Sequence, residues 1–320
     1  MTTVHHPQSH PHLPRVLVVM LTHNGANWLE EQIRSITAQS SVQVSLHIFD
    51  DCSTDDTQQL LHALTSENHN VFRYRFDHPS GSSGKAFLKA FKACDIKTFD
   101  YVALADQDDI WLREKLSRAI GELAKHPHAV GYSCSALAFW SNGKTKHLHQ
   151  NPHMKRLDYL FEGAGQGCTF VLRARFFREA QSLIAGHLPL FESFHYHDWL
   201  LYLIARAKDY AWIFDRTPWI LYRQHGLNEL GGRGTARAFV KRVNLIKSGW
   251  YRTQVATAAQ IAALVAQDVP SVYLTSFCKI LFSPHTMTRR VKVALFSLVN
   301  GRRRLSERLF VAVCALIGWI

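Results

Sequence analysis

Short apolar runs alternate with amphipathic stretches along this chain, and that alternation restricts its fold more than any other feature. Arg15–Thr22 is apolar up to a polar end, as in a strand buried on both faces. Residues 26–38 carry Trp28, Ile33 and Ile36 on one side, as a helix would. Further strands are expected at 44–49, 71–76 and Tyr101–Ala105, with helices at 84–93 and 111–125 and a helix start at 53–56. The pattern predicts an α/β fold, a mostly parallel Rossmann-like sheet flanked by helices. Such sheets bind ligands beyond the carboxyl ends of their strands, so the residues just after each strand are where chemistry is expected. Past Gly131 the pattern loosens. Strands are expected at 130–139, 167–172 and 219–223, and helices at 173–185 and 197–207.

A 47% hydrophobic share over 320 residues is enough for a large core and excludes general disorder. Cys52, Cys94, Cys134, Cys168, Cys278 and Cys314 are scattered with no C-x-x-C pair, which argues against a zinc ribbon or a disulfide scaffold and suits a reducing compartment. Residues 1–14, rich in His and Pro, lack the apolar core of a secretory signal and read as a disordered extension. The net charge of +12 is unevenly placed: residues 233–320 hold fourteen Lys/Arg against Asp268 and Glu307, so the rest of the chain is neutral.

The first strand ends in Thr22-His23-Asn24-Gly25 and the second in Asp50-Asp51-Cys52-Ser53-Thr54-Asp55-Asp56. Ser53, Thr54 and Asp55 suit helix capping; Asp50 and Asp51 precede the cap, and the second can point into the crevice toward a base or ribose. The fourth strand ends in Asp106-Gln107-Asp108-Asp109. Three carboxylates in four residues repel one another unless a cation joins them, and hard oxygens suit Mg²⁺ or Mn²⁺; a helix N-terminus is the plainer use of one such acid. The segment 80–86, with Gly84 before Lys85, fails the phosphate-loop pattern because Ala86 stands where Ser or Thr is needed. Gly163, Gly165 and Gly167 precede a strand, so they suit either a backbone approached closely by another group or a tight bend. His197-Asp198-Trp199 puts an acid at a helix start, as a cap, a general base or a metal ligand. His225, after the last strand, either points into a site or is structural.

In this order, over about 15–230, these blocks resemble the family 2 glycosyltransferases with the GT-A fold, and the Ala-Asp-Gln-Asp-Asp-Ile-Trp and Tyr-Arg-Gln-His blocks are similar to bacterial surface-polysaccharide rhamnosyltransferases. The resemblance implies a GT-A domain over 15–235 and transfer of a sugar, rhamnose among the candidates, from a nucleoside-diphosphate sugar to a lipid-linked, lipopolysaccharide or polysaccharide acceptor. It implies Thr22, His23, Asn24, Asp51, Gly84, Asp106 and Gln107 on the nucleotide-sugar, Asp108 and His225 on a divalent metal, Gly165, Gly167 and Trp199 on a donor/acceptor loop, and Asp198 as the base of a single inverting displacement. The loop 80–86 lacks the Asn and Arg common in the family, and the Gln-x-x-Arg-Trp motif of processive synthases is missing, so one sugar per encounter is expected.

Residues 236–320 lie outside the resemblance. Helices are expected at 236–246, 253–267 and 290–299, and residues 309–320 are apolar and uncharged. A spanning helix needs about 20 apolar residues, so Gly301-Arg-Arg-Arg304 before that end instead suits an interfacial anchor on an anionic membrane, at the cytoplasmic face of the plasma membrane. Packing onto the catalytic body is the alternative. A sugar nucleotidyltransferase would want a Gly-rich basic motif where Thr22-His23-Asn24-Gly25-Ala26 stands, and a nucleic-acid-binding protein would want more than arginines bordering apolar runs.

Overall fold

The computed structural model describes residues 12–225, 243–266 and 271–320. Residues 1–11 of the expected extension, 236–242 of the first expected tail helix and the 235/236 boundary lie outside them. The chain runs β1 (Arg15–Thr22), α1 (Leu29–Thr37), β2 (Gln43–Asp50), α2 (Thr57–Glu67), β3 (Val71–Arg75), α3 (Ser83–Ala93), β4 (Tyr101–Ala105), β5 (Ile110–Trp111), α4 (Lys115–Lys125), β6 (Ala129–Trp140) and β7 (Thr145–Leu148). It continues as β8 (Phe170–Arg173), α5 (Ala174–Gly186), α6 (Leu188–Glu192), α7 (His197–Ala207), β9 (Ala211–Gln224), α8 (Trp250–Val265), α9 (Val272–Leu281), α10 (Met287–Asn300) and α11 (Leu305–Leu316).

The sheet order is β3-β2-β1-β4-β8-β6-β9-β5, with β7 on β6. The β3-β2-β1-β4 part is parallel, β8 is antiparallel to both its neighbours, and β9 runs parallel to β6. Alternation along β1 divides its side chains: Val16, Val18 and Met20 join one apolar layer, Leu17, Val19 and Leu21 the other. A strand covered on both faces must be apolar between its ends, and this one is from Val16 to Leu21. The amphipathic reading of α1 holds, with Leu29, Ile33 and Ile36 buried.

Three expectations need correction. The helix expected over 111–125 is split, because Ile110–Trp111 pairs with β9 and the helix begins only at Lys115. The strand expected over 167–172 starts as a 3-10 turn at Gly167–Thr169, since glycine there packs against a neighbouring helix end rather than a strand. Residues 53–56 do not cap α2 through Ser53 and Thr54. Asp55 takes the Thr57 N–H at 3.1 Å, while Ser53 and Thr54 bond back to Asp50 and Asn24.

The C-terminal helices share the core of the sheet domain. Val255, Ala258, Ile261, Phe277, Val293 and Val311 are buried in the same apolar layer as Leu17 and Phe87. Arg302 and Arg303 are not solvated. Arg302 pairs with Glu307 at 3.0 Å, and Arg303 lies 3.6 Å from both Asp158 and Glu162. No helix among the described residues is long and apolar enough to cross a membrane.

Candidate active site

The carboxyl ends of β1, β2 and β4 converge on a set of contacts that close into a ring. After β1, Thr22 is buried and its hydroxyl donates to Gln107 Oε1 at 2.7 Å; the His23 N–H donates to the same oxygen at 2.8 Å, and Gln107 Nε2 returns a bond to the His23 carbonyl. Asn24 takes a left-handed φ of 51°, a conformation that Asn tolerates better than most residues. This turns its Oδ1 toward the Thr54 N–H at 2.8 Å and its own N–H toward Ser53 Oγ at 2.9 Å. The loops after β1, β2 and β4 are thus tied to one another by side chains.

Of the two acids after β2, Asp50 is fully buried and holds Ser53, with Arg75 3.6 Å away. Asp51 is half-buried, and its Oδ1 accepts from both Ser80 N–H and Ser80 Oγ at 2.8 Å. His23 Nδ1 lies 2.8 Å from the Asp51 carbonyl. Ser80 carries no signal of its own in the sequence, because the segment 80–86 matches no phosphate-loop spacing and the partner of Ser80 lies 29 positions away. Gly84 itself is buried against the His195 carbonyl, so close that a Cβ there would force backbone to shift.

The acids after β4 separate by environment. Asp106 is half-buried and its carbonyl is held by Gln32 at 2.8 Å. Asp108 Oδ2 is 2.7 Å from His225 Nε2, an approach between residues 117 positions apart. His225 stacks on Trp28 with ring centroids 4.2 Å apart. Arg223 fixes this corner: its Nε donates to the Asp108 carbonyl at 2.9 Å, its N–H to Asp109 at 3.2 Å, and its guanidinium meets Glu31 at 2.5 Å. Asp109 is fully buried, and burial, followed by the nearby Asp108 and Asp106, pushes its carboxyl well above the usual range. The Cys168 thiol beside it is pushed up by burial and then by Asp109.

Asp106, Asp109 and Cys168 bring ligand atoms within 4.8 Å of one another. A thiol is a soft donor ill suited to a hard cation, whereas Asp108 and His225 offer a carboxylate and an imidazole, His225 the more exposed of the two. The second pair has the donor chemistry that suits Mg²⁺ or Mn²⁺.

Residues 163–168 close the ring. Gly165 lies against the Gln150 side chain with φ at 107°. A Cβ at Gly167 would stand 2.6 Å from His197 Nε2 and 3.4 Å from Asp198 Cβ, so only glycine lets the helix start come this near. Asp198 Oδ1 takes the Trp199 N–H at 2.6 Å, Trp199 Nε1 donates to the Tyr159 carbonyl at 2.7 Å, and His197 stacks on Phe87 at 3.7 Å. A single peptide bond separates the Asp198 side of the loop, at Gly167, from the Asp109 side, at Cys168. A cavity of about 380 Å³ lined by His128, Arg175, Glu179 and Asp209 lies at the other end of β6 and β9 and contains none of these residues.

A doubly wound sheet with this cluster of acids at its carboxyl edge is the frame of a sugar-nucleotide-type transferase, and comparison with known proteins agrees. The sequence model described as Glycosyl transferase family 2 matches residues 17–181. The chain is 35% identical to the dTDP-rhamnosyl transferase RfbG of Shigella flexneri over 253 residues, 78% of this chain and 85% of that protein. It belongs to glycosyl transferase family 2 and is a glycosyltransferase. Among solved structures, S. aureus TarS 1-349 in complex with UDP-GlcNAc superposes with a TM-score of 0.52 at 16% identity, covering 95% of this chain and 89% of that one, which shows the shared fold.

Proposed function

We propose that the protein is a metal-dependent, inverting rhamnosyltransferase, moving one sugar per encounter from a nucleoside-diphosphate donor to a lipid-linked or polysaccharide acceptor at the cytoplasmic membrane face. The observation that carries this reading is the closed ring. Thr22–Gln107, His23–Asp51, Asp51–Ser80, Gly84–His195, Asp198–Gly167, Cys168–Asp109 and Asp108–His225 form one circuit around the carboxyl edge of the sheet. The similarity to a dTDP-rhamnosyl transferase supports the choice of sugar.

In this reading the half-buried Asp51 recognises the nucleoside, and the Thr22–Gln107–His23 bonds keep the floor of its pocket rigid. Asp106 faces the ribose or a phosphate. Asp108 and His225 would hold Mg²⁺ or Mn²⁺, which supplies positive charge against the departing diphosphate. Arg223 fixes Asp108 through its carbonyl, and Trp28 fixes the His225 ring by stacking. Asp198 takes the proton from an acceptor hydroxyl as that oxygen attacks the anomeric carbon from the face opposite the diphosphate; the C–O bond to the diphosphate breaks, and the configuration inverts. A carboxylate is in base form at neutral pH, and its position matters more than its basicity. Gly167 and the Trp199–Tyr159 bond set that position.

Thermal unfolding with a panel of nucleotide-sugars and Mn²⁺ tests the reading, because a ligand that binds only the folded state raises Tm. A Tm rise with dTDP-rhamnose, abolished by chelator, is expected. Stabilisation by no nucleotide-sugar, with or without metal, would refute it.

A further inference from the structure

Helices α10 and α11 carry an apolar stripe each on the side away from their buried residues. On α10 it is Met287, Val291, Leu295 and Val299, every fourth residue, while Val293, Ala294 and Ser297 face inward. On α11 it is Leu305, Leu309, Val313 and Leu316, while Val311, Ala312, Cys314 and Ala315 face inward. Most of these side chains are more than half exposed, Val299 the most at 66%. A soluble monomer rarely leaves so large an apolar surface without a partner. Lys292 and Arg304 stand exposed beside the stripes and Lys279 on the neighbouring α9, and the one acid in 271–320, Glu307, is taken by Arg302 at 3.0 Å.

We propose that this two-helix face is the surface on which the protein seats itself on an anionic lipid bilayer. The proposal deepens, and rests on, the reading of a lipid-linked acceptor. Charge complementarity selects the occupant. A second copy packed face to face would bring Lys279, Lys292 and Arg304 against their own kind with no acid to meet them. A nucleic acid needs cations but has no use for eight exposed aliphatic side chains. A bilayer with anionic headgroups takes both, the aliphatic stripes entering the headgroup–acyl boundary and the cations lying at the phosphates.

The structure moves the anchor from the end of the chain, where the sequence placed it, to this face. Arg302 pairs with Glu162 of the catalytic body and with Glu307, Arg303 is buried against Asp158 and Glu162, and Phe310 and Trp319 pack on the core, which leaves Arg304 as the most exposed member of the arginine triplet. The loop joining the two helices is also bound to the acceptor side of the site. Arg303 Nη2 donates to the Gly163 carbonyl at 2.7 Å, Arg304 Nη2 to the His149 carbonyl at 3.0 Å, and the Leu157 N–H to the Asn300 carbonyl at 3.3 Å. Gly163 packs on Trp199, next to Asp198. Seating the hairpin on a membrane therefore brings the base side of the ring near the lipid surface, where a lipid-linked hydroxyl would be presented.

The test is co-sedimentation of the full chain with phosphatidylcholine vesicles, with and without phosphatidylglycerol, for wild type and for the pair Leu295→Asp/Leu309→Asp. Wild type is expected to partition onto the anionic vesicles, and the double variant to lose roughly tenfold or more of that partition while keeping its circular dichroism and its Tm rise with dTDP-rhamnose and Mn²⁺. Should the aspartates impair folding, Lys292→Glu/Arg304→Glu, which leaves the apolar stripes intact, is expected to show the same loss on anionic vesicles. Equal sedimentation of folded variant and wild type overturns the proposal. So does a wild-type dimer in light scattering that the variant breaks, with no vesicle binding by either, because the face then belongs to a second copy. Face-dependent vesicle binding without any nucleotide-sugar effect on Tm would leave this docking surface standing and remove the proposed metal-dependent rhamnosyl-donor reading of the site instead.

Discussion

Arg303→Ala is the most informative single change in this chain. Its guanidinium is 6% exposed, 3.6 Å from Asp158, 3.6 Å from Glu162, and 4.8 Å from the Phe214 ring centroid. The backbone N–H of the same residue donates to Glu162. Removing one partner of a buried pair strands the other, at about 3–5 kcal/mol. With roughly 2 °C of Tm per kcal/mol for a chain of this size, Arg303→Ala should lower Tm by roughly 6–10 °C. Arg303→Met, which restores the aliphatic volume over Phe214 but not the charge, should recover only a minor part. The pH dependence follows from Asp158, whose carboxyl already sits above its ordinary value because of burial, with Arg303 the largest force pulling it back. An acid with a raised folded-state pKa contributes most below its unfolded pKa of about 4, and that contribution is lost as pH rises through the folded value. Deleting Arg303 raises the folded value further and widens that window. The deficit of Arg303→Ala against wild type should therefore be small near pH 5 and large near pH 8, read by denaturant unfolding at the two pH values. A deficit that is flat with pH, or a Tm loss below about 2 °C, would show that the tail is held by apolar packing alone.

Four further outcomes follow from the site. Asp198→Asn should keep the nucleotide-sugar Tm shift yet lose about 10²–10⁴-fold in transfer rate; transfer at the wild-type rate would remove Asp198 as the base. Trp28→Ala, which takes away the ring on which His225 stacks, should weaken Mn²⁺ binding by about 10–100-fold in a calorimetric titration, and unchanged affinity would place the metal elsewhere. Gly167→Ala, whose methyl would stand 2.6 Å from His197 Nε2, should lower kcat more than it raises KM for the donor; an effect on KM alone would contradict a role in placing the base. Lys115 is fully buried over the Trp111 ring and burial pulls it down to about 8, so the stability tied to it is complete above its unfolded value and falls as pH drops through about 8. Lys115→Met should consequently gain on wild type below about pH 8 and lose that gain toward pH 10, and a variant less stable than wild type at neutral pH would contradict this.

The central parallel strands β1 and β4 were legible because a strand covered on both faces has no room for polar residues until it ends. The same rule marked the loops after β1, β2 and β4 as the place to look. What escaped was structure whose cause is not local. β5 is two residues long and exists only because β9 offers an edge, and β9 itself is readable near Trp219 but not at Ala211–Pro218, where polar residues interrupt the apolar run. Ser80, Glu31 and Trp28 belong to the site through partners 29, 192 and 197 positions away, and no spacing rule finds such pairs. The glycines at 163, 165 and 167 suited a close approach or a tight bend alike, and only the folded chain shows Trp199, Gln150 and His197 packed against them. The arginine triplet was misleading for a physical reason: three identical residues in a row on a turn face different directions, two inward to acids and one to solvent.

The bond from Arg303 to the Gly163 carbonyl has an engineering consequence. A targeting tail attached only by a linker can be exchanged between enzymes like a cassette, and each exchange alters location without altering catalysis. Here the C-terminal hairpin is bonded to Gly163, which packs on Trp199 beside Asp198, so the tail is a structural member of the candidate site. Cutting the chain after the last strand would remove the counter-charge of Asp158 and the support behind Gly163 in one stroke. Any transplant of this tail, or of its catalytic body, has to carry the Asp158–Glu162–Gly163 socket along with the arginine that fills it.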